Sequence, residues 1–562
     1  MSRPVEFSAR TRASNLKTLG DGTYDLVIIG GGITGAGVAR DAALRGLSVA
    51  LLERKDFASG TSSRSSKLVH GGLRYLQQGD VGLVREAATE RYAVRRLASH
   101  LARPVQMLFP IYSRSSYAKM SAGLWTYDRL ASVSDAERHH MLSRDEALAL
   151  EPRLRSEKLY AAGLYYEYLT DDARLVIEVI KAAATLGAIV ANYCAVEDFL
   201  FDGERLSGVV ARDQLSGDSL EVRGRVIVNA AGPWVDAVRL LSEPHDQPRL
   251  RLTKGVHLGI RTERIGLSRI VVMNAPDKRG VFAIPRGRVT YLGTTDTFYD
   301  NPEDYPGVTM EDVLYLLESA NRTFAVEPLL TPDDVVNGWA GLRPLLFQEG
   351  KTPSELSRKD EVMVAGNGLI SVAGGKLTTF RRMAERVVDM VAEQLQARGV
   401  AAPARRGQSE TAILGSGDTG PDIDAFAAGL RERWPRLDPA LIDRLVPLYG
   451  SHAERMIDAI AADPVLGERY DPALPVTRAE LEYAMREEMA MTVTDFLERR
   501  SRLLLWEPDM GRSIADGVAR AMGEQLGWDA SRVHDEAQRY RELAEHLRTF
   551  ESSGPAAQVA NG

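Results

Sequence analysis

Residues 30–35 have the composition and spacing of a loop that binds a phosphate group. They fit G-x-G-x-x-G, in which the first glycine permits a tight turn, the second admits a pyrophosphate, and the third allows close helix–strand contact. Glu53 follows at the distance where a carboxylate can accept hydrogen bonds from ribose hydroxyls. Together these residues predict a site for the ADP half of a dinucleotide, which the motif alone does not identify as FAD or NAD.

Two strands and a helix must position this loop. Residues 24–29 and 48–52 are short apolar runs of strand length, and residues 33–45 between them predict a helix that ends at Gly46. Such a βαβ unit predicts a parallel sheet with the ligand at the carboxyl edge of its strands.

Residues 61–75 are dense in hydroxyl groups, glycines and basic side chains. Because little in this segment can be buried, we expect a loop that lies against a polar ligand.

Several motifs resemble those of the FAD-dependent glycerol-3-phosphate dehydrogenases. They are residues 29–46 (IGGGITGAGVARDAALRG), 65–76 (SSKLVHGGLRYL), 229–236 (NAAGPWVD), 254–257 (KGVH), 293–296 (GTTD), 341–345 (GLRPL), 374–384 (GGKLTTFRRMA) and 494–500 (TDFLERR). Phe380 stands where that family usually has tyrosine, which removes a hydroxyl. The resemblance covers about residues 24–548 and implies FAD as cofactor, sn-glycerol 3-phosphate as substrate and dihydroxyacetone phosphate as product.

The predicted FAD ligands come from the glycine loop, the end of the second strand, the hydroxyl-rich loop and the later family motifs. They are Gly30, Gly31, Gly32, Thr34, Gly35, Glu53, Arg54, Thr61, Ser62, Ser63, Ser66, Lys67, Leu68, Val196, Ala231, Gly232, Trp234, Gly375, Lys376, Leu377 and Thr378.

Three arginines are candidates to bind the substrate phosphate, because a guanidinium group offers a planar fork of donors. Arg74 and Arg343 are embedded among glycine and apolar residues, where an unpaired charge is costly. Tyr75, which follows Arg74, is also predicted to bind substrate. Arg358 lies in a polar stretch, where a solvated surface position is an equal alternative.

His70 and His257 are candidates for the base that takes the C2 hydroxyl proton, since a neutral imidazole accepts a proton near pH 7. A structural hydrogen-bonding role is the alternative for each, and a perturbed arginine such as Arg343 is a third choice of base. Lys376 lies at a predicted strand-to-helix junction, where its ammonium could stabilise reduced flavin or bind substrate.

Thr295 and Asp296 end a predicted strand beside the expected pocket, and we assign both to the substrate site. Capping of local backbone is the alternative for Asp296. No metal site is predicted, because the adjacent His139 and His140 cannot easily face one ion.

Composition narrows the class of protein. The 562 residues are 44% hydrophobic and 26% charged, with a net charge of −7 that does not favour binding to nucleic acid. The single cysteine, Cys194, excludes an intramolecular disulfide and suits a reducing compartment, so we expect a cytoplasmic protein. A run of about 18 apolar residues, as a spanning helix needs, does not occur in the sequence.

The predicted fold is α/β plus α. A Rossmann-like FAD-binding domain over residues 22–399 is interleaved with an antiparallel-sheet substrate domain, mainly residues 100–170 and 245–345. Residues 400–552 predict a helical domain, whereas residues 1–21 read as a flexible lead-in and residues 553–562 as a disordered tail.

The resemblance implies a membrane quinone as electron acceptor and a peripheral position on the cytoplasmic face of the inner membrane. Residues 114–130 combine basic, aromatic and apolar residues at roughly helical spacing, as in a helix that lies among lipid headgroups. Packing of this helix on its own protein is a comparable alternative. The oligomeric state is open, with a homodimer among the alternatives.

Three other functions deserve comparison. A glycerol-3-phosphate oxidase would pass electrons to O2 and release H2O2, but family oxidases tend to carry an insertion in the stretch from Arg343 to Lys376, which is short here. An amine or amino-acid oxidase would not explain the whole set of motifs. A non-catalytic flavin-binding regulatory or interaction protein would not need His70, Arg74, Arg343 and Lys376 together.

Overall fold

The computed structural model describes residues 5–70, 81–300, 302–347, 360–400, 408–420 and 422–551. The positions predicted at Arg74, Tyr75 and Arg358, and the tail at residues 553–562, lie outside the described residues.

The first sheet has a parallel core, as the βαβ pattern predicts. Its main path runs Glu361–Val364, Ile370–Ala373, Ser219–Asn229, Thr23–Ile29, Val49–Leu52 and Ile189–Ala191. The pairings are parallel except at the Glu361–Val364 edge. The antiparallel strands Cys194–Asp202 and Arg205–Asp213 extend the sheet from Ser219–Asn229. Burial on both faces explains why the central strands are continuous runs of Val, Ile and Leu.

The second sheet is antiparallel apart from one pairing. Its main path runs Thr297–Tyr299, Leu250–Arg261, Val289–Gly293, Gly280–Arg286, Ile270–Asn274, Ala102–Ile111, Ala161–Thr170 and Leu68–Val69. Val335–Leu346 pairs with Leu250–Arg261, and His140–Ser143 with Ala161–Thr170. Ile270–Asn274 and Ala102–Ile111 form the parallel pair. The predicted combination of a Rossmann-like sheet with an antiparallel sheet is therefore confirmed.

Helices cover the first sheet and form the C-terminal part of the chain. The α-helices of the described residues are Arg12–Asp21, Ile33–Leu44, Val81–Leu97, Arg114–Leu130, Arg144–Leu150, Asp172–Thr185, Val235–Ser242, Thr262–Ile265, Met310–Thr323, Phe380–Ala397, Gln408–Thr411, Ile423–Arg433, Pro439–Tyr449, His452–Ala462, Arg478–Glu487, Leu503–Trp506, Ala515–Leu526 and Ala530–His546. Asp495–Arg500 forms a π-helix. Within the described ranges, no helix combines the length and apolar character needed to cross a bilayer.

The N-terminal segment differs from the flexible lead-in predicted for residues 1–21. Arg12–Asp21 is a helix, and its Leu19 is fully buried. The Arg12 guanidinium donates to the Asn192 carbonyl at 2.7 Å and pairs with Asp213 at 2.6 Å. Because these partners lie about two hundred residues away in sequence, the local pattern contains no sign of the anchorage.

Candidate FAD and substrate site

A cleft opens at the carboxyl ends of the parallel strands Thr23–Ile29, Val49–Leu52 and Ser219–Asn229. This is the edge at which open α/β sheets bind ligands. The predicted FAD ligands that line it are Gly30, Gly32, Thr34, Glu53, Arg54, Thr61, Ser62, Val196, Ala231, Gly232, Trp234, Gly375, Lys376 and Leu377.

The glycine loop is packed too closely for larger residues. Gly30 has φ +109°, and a Cβ added to it would lie 2.6 Å from the Ala230 carbonyl oxygen. A Cβ on Gly35 would lie 1.9 Å from the Gly30 carbonyl oxygen. This close approach sets the start of helix Ile33–Leu44 at the cleft, where its backbone N–H groups and positive dipole end suit a pyrophosphate. Ser62 Oγ accepts the Ile33 N–H at 3.0 Å and thereby joins the hydroxyl-rich loop to the same helix.

Glu53 stands at the end of the second strand with both carboxylate oxygens engaged. Its Oε2 accepts the Gly31 N–H at 2.7 Å, and Oε1 accepts the Lys55 N–H at 2.9 Å. Burial raises the pKa of Glu53, and these two hydrogen bonds oppose that shift. A carboxylate oxygen with one backbone partner still has a lone pair for a ribose hydroxyl.

Seven predicted FAD ligands do not line the cleft; they are Gly31, Gly35, Ser63, Ser66, Lys67, Leu68 and Thr378. The Lys67 ammonium group is engaged within the protein. That fully buried group donates to the Ser63 carbonyl at 2.6 Å and to Asp172 Oδ1 at 2.8 Å. Burial lowers the pKa of Lys67 to about 8, although Asp172 acts in the opposite direction.

The cleft also contains residues that the sequence did not single out. They include Ser59, Gly60, Ser65, Asp172, Cys194, Ala195, Pro344 and Met383. Ser65 lies inside the loop that was predicted, whereas Asp172 and Cys194 reach the cleft only through the tertiary fold. Burial raises the pKa of the Cys194 thiol to about 12, so the thiol that lines the cleft is uncharged.

Arg343 is held in place on the second sheet, in strand Val335–Leu346. It donates to Asp296 Oδ1 at 3.0 Å and to Thr294 Oγ1 at 3.3 Å. A Cβ on Gly255 of the adjacent strand would lie 2.4 Å from the guanidinium, so glycine there leaves room for the arginine. Pro344, the next residue of the strand, lines the cleft, so the Arg343 backbone lies at the edge of the cleft although its side chain does not line it.

The neighbouring substrate candidates have different environments. Thr295 is buried, and its hydroxyl accepts the Val256 N–H at 3.1 Å, which is a structural hydrogen bond. His70 is half-buried, and its carbonyl accepts from Thr378 Oγ1 at 3.3 Å. Lys376 lines the cleft at the start of the turn Leu377–Thr379, which leads into a long helix as predicted.

His257 lies behind the hydroxyl-rich loop rather than in the cleft wall. Its Nε2 is 2.9 Å from Ser66 Oγ, and its ring stacks on Trp339 with centroids 5.2 Å apart. Burial, reinforced by the charges of Lys67 and Arg343, holds the pKa of His257 well below its usual value of 6.5. The imidazole is therefore neutral at physiological pH.

Comparison with known proteins decides between flavoprotein families. Residues 25–381 match the family described as FAD dependent oxidoreductase, and residues 408–533 match the C-terminal domain of alpha-glycerophosphate oxidase. The aerobic glycerol-3-phosphate dehydrogenase of Bacillus subtilis (strain 168) is 42% identical over 537 residues, which is 93% of this chain and 95% of that protein. The protein of the same name from Staphylococcus aureus (strain USA300) is 41% identical over 92% of this chain and 93% of its own length. This chain belongs to the FAD-dependent glycerol-3-phosphate dehydrogenase family.

A solved member of the glycerol-3-phosphate dehydrogenase family has the same fold. The enzyme of Bacillus halodurans, complexed with FAD, is 35% identical with a TM-score of 0.80, covering 98% of this chain and 100% of that one. The FAD-bound L-α-glycerophosphate oxidase of Mycoplasma pneumoniae, at 17% identity and a TM-score of 0.55, shares the fold over 70% of this chain.

FAD is the cofactor of the family, and the described residues fit it. The Gly30 turn and the start of helix Ile33–Leu44 suit the pyrophosphate, and Glu53 suits the ribose. At the other end of the cleft, the strand-to-helix junction at Gly375 and Lys376 has backbone N–H groups and an ammonium, which are groups that suit the polar edge of a flavin.

The buried position of His257 predicts a specific loss of stability in acid. The unfolded chain gains this proton near pH 6.5, whereas the folded protein gains it only at much lower pH. The His257 contribution to the free energy of unfolding is therefore complete above pH 6.5 and falls by up to about 1.4 kcal/mol per pH unit below it. Thermal melts at pH 5 and 7 should show a smaller acid shift for His257→Gln than for wild type. Equal shifts would contradict a buried, neutral His257.

Proposed function

We propose that this protein oxidises sn-glycerol 3-phosphate to dihydroxyacetone phosphate. Bound FAD would supply the hydride acceptor, flavin N5, for the hydrogen at substrate C2. The proposal is carried by Arg343, a guanidinium group held by Asp296 and Thr294 beside a cleft that fits FAD. A cation fixed in this position suits a phosphate dianion, which needs donors of defined direction.

Different side chains bind the substrate phosphate, accept the C2 hydroxyl proton and stabilise charge on the flavin. Arg343, Arg74 and Arg358 bind the phosphate. Tyr75, next to Arg74 in the sequence, also contributes to the substrate site. Asp296 accepts from Arg343 and so fixes the direction of its remaining N–H groups. The C2 hydroxyl proton goes to His70 or to His257. The imidazole of His257 is already neutral, but its lowered pKa makes it a weaker proton acceptor than an ordinary histidine. Lys376 stabilises negative charge at the flavin end of the cleft.

Anaerobic mixing of the holoenzyme with sn-glycerol 3-phosphate tests this activity. We expect the visible absorbance of the flavin to bleach in proportion to substrate. Glycerol, which has the same alcohol but no phosphate, should leave the absorbance unchanged at equal concentration. Absence of bleaching by sn-glycerol 3-phosphate would overturn the proposal.

We further propose that the electrons pass to a membrane quinone. The relatives that cover almost the whole chain are named dehydrogenases, and the stretch from Arg343 to Lys376 is short. Steady-state turnover with a soluble quinone analogue should exceed turnover with O2, and little peroxide should form. Faster turnover with O2, with stoichiometric H2O2, would identify an oxidase instead.

We propose that helix Arg114–Leu130 attaches the protein to the cytoplasmic face of the inner membrane. The helix buries only Leu124 and Tyr127, whereas Trp125 is 54% exposed. Tyr112 before the helix and Tyr160 beside Tyr117 are also exposed. Arg114, Lys119 and Arg129 are exposed on the same helix, a combination that suits anionic headgroups.

Trp125→Glu should weaken binding to anionic liposomes by about tenfold or more, because it removes the largest exposed apolar group and adds a negative charge. Co-sedimentation with vesicles measures the bound fraction. Phe201→Glu is a matched control, since Phe201 is 50% exposed and lies in strand Cys194–Asp202 of the first sheet, outside the proposed membrane-binding helix. Equal partitioning of wild type and Trp125→Glu would contradict membrane contact through this helix.

A further inference from the structure

The TDFLERR motif, residues 494–500, has no part in the proposed chemistry, yet its charged residues are buried. Asp495 and Arg500 are fully buried in the π-helix Asp495–Arg500, and Glu498 and Arg499 are nearly so. A buried charge is costly unless it is paired, so the partners of this segment define its task. Those partners are residues around the FAD cleft.

The first partner is Asp56, which is fully buried. Arg499 Nε lies 2.6 Å from its carboxylate, and Arg500 Nη2 lies 3.0 Å from it. Burial alone would raise the pKa of Asp56, but Arg500 and Arg499 outweigh burial and lower it. Asp56 belongs to the turn after Glu53, and Ala58 of this turn donates to the Gly31 carbonyl at 3.0 Å. The two arginines thus hold the segment that contacts the glycine loop.

The second partner is Asp172, which lines the cleft. Arg502, which lies two residues beyond the motif, is fully buried. Its Nη2 is 3.4 Å from Asp172 and its Nε is 3.0 Å from Asp171. Asp172 also accepts from the backbone N–H and the hydroxyl of Ser65, at 3.1 and 2.7 Å. Arg502 therefore supports, together with Lys67, the carboxylate to which the hydroxyl-rich loop is hydrogen-bonded.

The third contact involves Arg64, within the same loop. Its guanidinium stacks 4.0 Å above the Tyr305 ring, and Glu498 lies 3.8 Å from Arg64 Nη2. The Tyr305 hydroxyl donates to Glu498 Oε2 at 3.0 Å, so the three groups form one unit. Within residues 56–67, Asp56 and Arg64 therefore contact one short segment of the C-terminal domain directly, and Ser65 and Lys67 are linked to it through Asp172.

We propose that residues 495–502 position the FAD-binding loop, residues 56–67, and thereby govern how tightly the protein holds FAD. The proposal rests on the placement of FAD in the cleft. Arg499, Arg500 and Arg502 are positioning residues, because they act through Asp56 and Asp172 and do not line the cleft. Coupling of this kind is reciprocal, so bound FAD should also hold residues 495–502 against the loop.

The rate of FAD release from the holoenzyme tests the proposal. Flavin fluorescence rises as FAD leaves the diluted protein, and circular dichroism checks the fold. Arg502→Met should release FAD at least about tenfold faster and shift the visible bands of the bound flavin, because Asp172 loses one cationic partner, Arg502, and keeps another, Lys67. Arg502→Lys should recover part of both effects, since it restores a cation but not the second donor.

Arg91→Met is the matched control. Arg91 is as deeply buried as Arg502 and pairs with Glu167 at 3.0 Å. Glu167 does not line the cleft, whereas Asp172, the partner of Arg502, does. Arg91→Met should lower thermal stability without changing the flavin spectrum or speeding release at a temperature where the fold is intact. Equal effects of Arg91→Met and Arg502→Met would overturn the proposal, as would wild-type release and spectrum in Arg502→Met.

Two further variants keep the test decisive. If Arg502→Met does not fold, Arg502→Lys and Glu498→Gln take its place, and wild-type release in both overturns the proposal. Trp234→Ala, which changes the cleft wall, should accelerate release by itself. If Trp234→Ala releases FAD at the wild-type rate, the placement of FAD in the cleft is overturned. If Trp234→Ala releases FAD faster but the Arg502 and Glu498 variants release it at the wild-type rate, only the role of residues 495–502 is overturned.

Discussion

Arg343→Met should lower kcat/KM for sn-glycerol 3-phosphate by about 10³-fold, equivalent to about 4 kcal/mol. Methionine keeps a long unbranched side chain but removes every hydrogen-bond donor of the guanidinium group. It also leaves the Asp296 carboxylate, whose side chain is only 6% exposed, without the 3.0 Å ion pair that offsets its charge. The substrate dianion would then meet a carboxylate where wild type has an arginine–carboxylate pair.

The loss should appear mainly as a higher KM, because phosphate binding contributes to the ground state and the transition state alike. Arg343→Lys should recover part of the activity, since an ammonium restores the charge but not the paired donors. FAD content and reduction by dithionite should stay at wild-type values in both variants, which separates substrate binding from cofactor binding.

Arg251→Met is the matched control for Arg343. It removes a guanidinium from the neighbouring strand Leu250–Arg261, where Arg251 is partly exposed and stacks 4.8 Å from the Phe298 ring. The kcat/KM of Arg251→Met should stay within about twofold of wild type, because the ion pair that Arg251 forms with Asp300 is exposed to solvent. A similarly small effect of Arg343→Met would show that Arg343 serves only to neutralise Asp296.

The parts of the site that could be predicted from sequence are local in the chain. The turn at Gly30, the helix that follows and Glu53 belong to one βαβ unit, so their spacing alone determines their relative positions. The junction at Gly375 and Lys376 was predictable for the same reason, because a strand and a helix flank it directly.

The parts that could not be predicted depend on partners far apart in sequence. Lys67 was predicted to be a cofactor ligand because it lies in a polar loop, but its ammonium is buried and donates to Asp172. Likewise, the paired charges of Arg499 and Asp56 come from opposite ends of the chain. A single sequence shows that such charges must be paired and does not show with which residue.

Gly35→Ala should abolish stable FAD binding, lowering affinity by at least about 100-fold. The added methyl would lie 1.9 Å from the Gly30 carbonyl oxygen, a backbone atom that cannot rotate away. Relief requires helix Ile33–Leu44 to move away from the Gly30 turn, and overpacking of this kind costs about 3 kcal/mol. The turn and the start of the helix are the predicted pyrophosphate site, so that displacement would change the cofactor site. A cost of about 3 kcal/mol corresponds to about 100-fold in affinity.

The ratio of absorbance at the flavin band to that at 280 nm in the purified protein measures this effect, with added FAD testing whether it can be restored. Gly429→Ala provides the control, since Gly429 lies in helix Ile423–Arg433 and a Cβ there meets no atom within 4 Å. That change should keep full FAD content and raise the free energy of unfolding by about 0.5–1 kcal/mol, as alanine does in an open helical position. Full FAD content in Gly35→Ala would mean that the helix can withdraw without disturbing the pyrophosphate site, and the close contact between Gly30 and Gly35 would then be a packing feature alone.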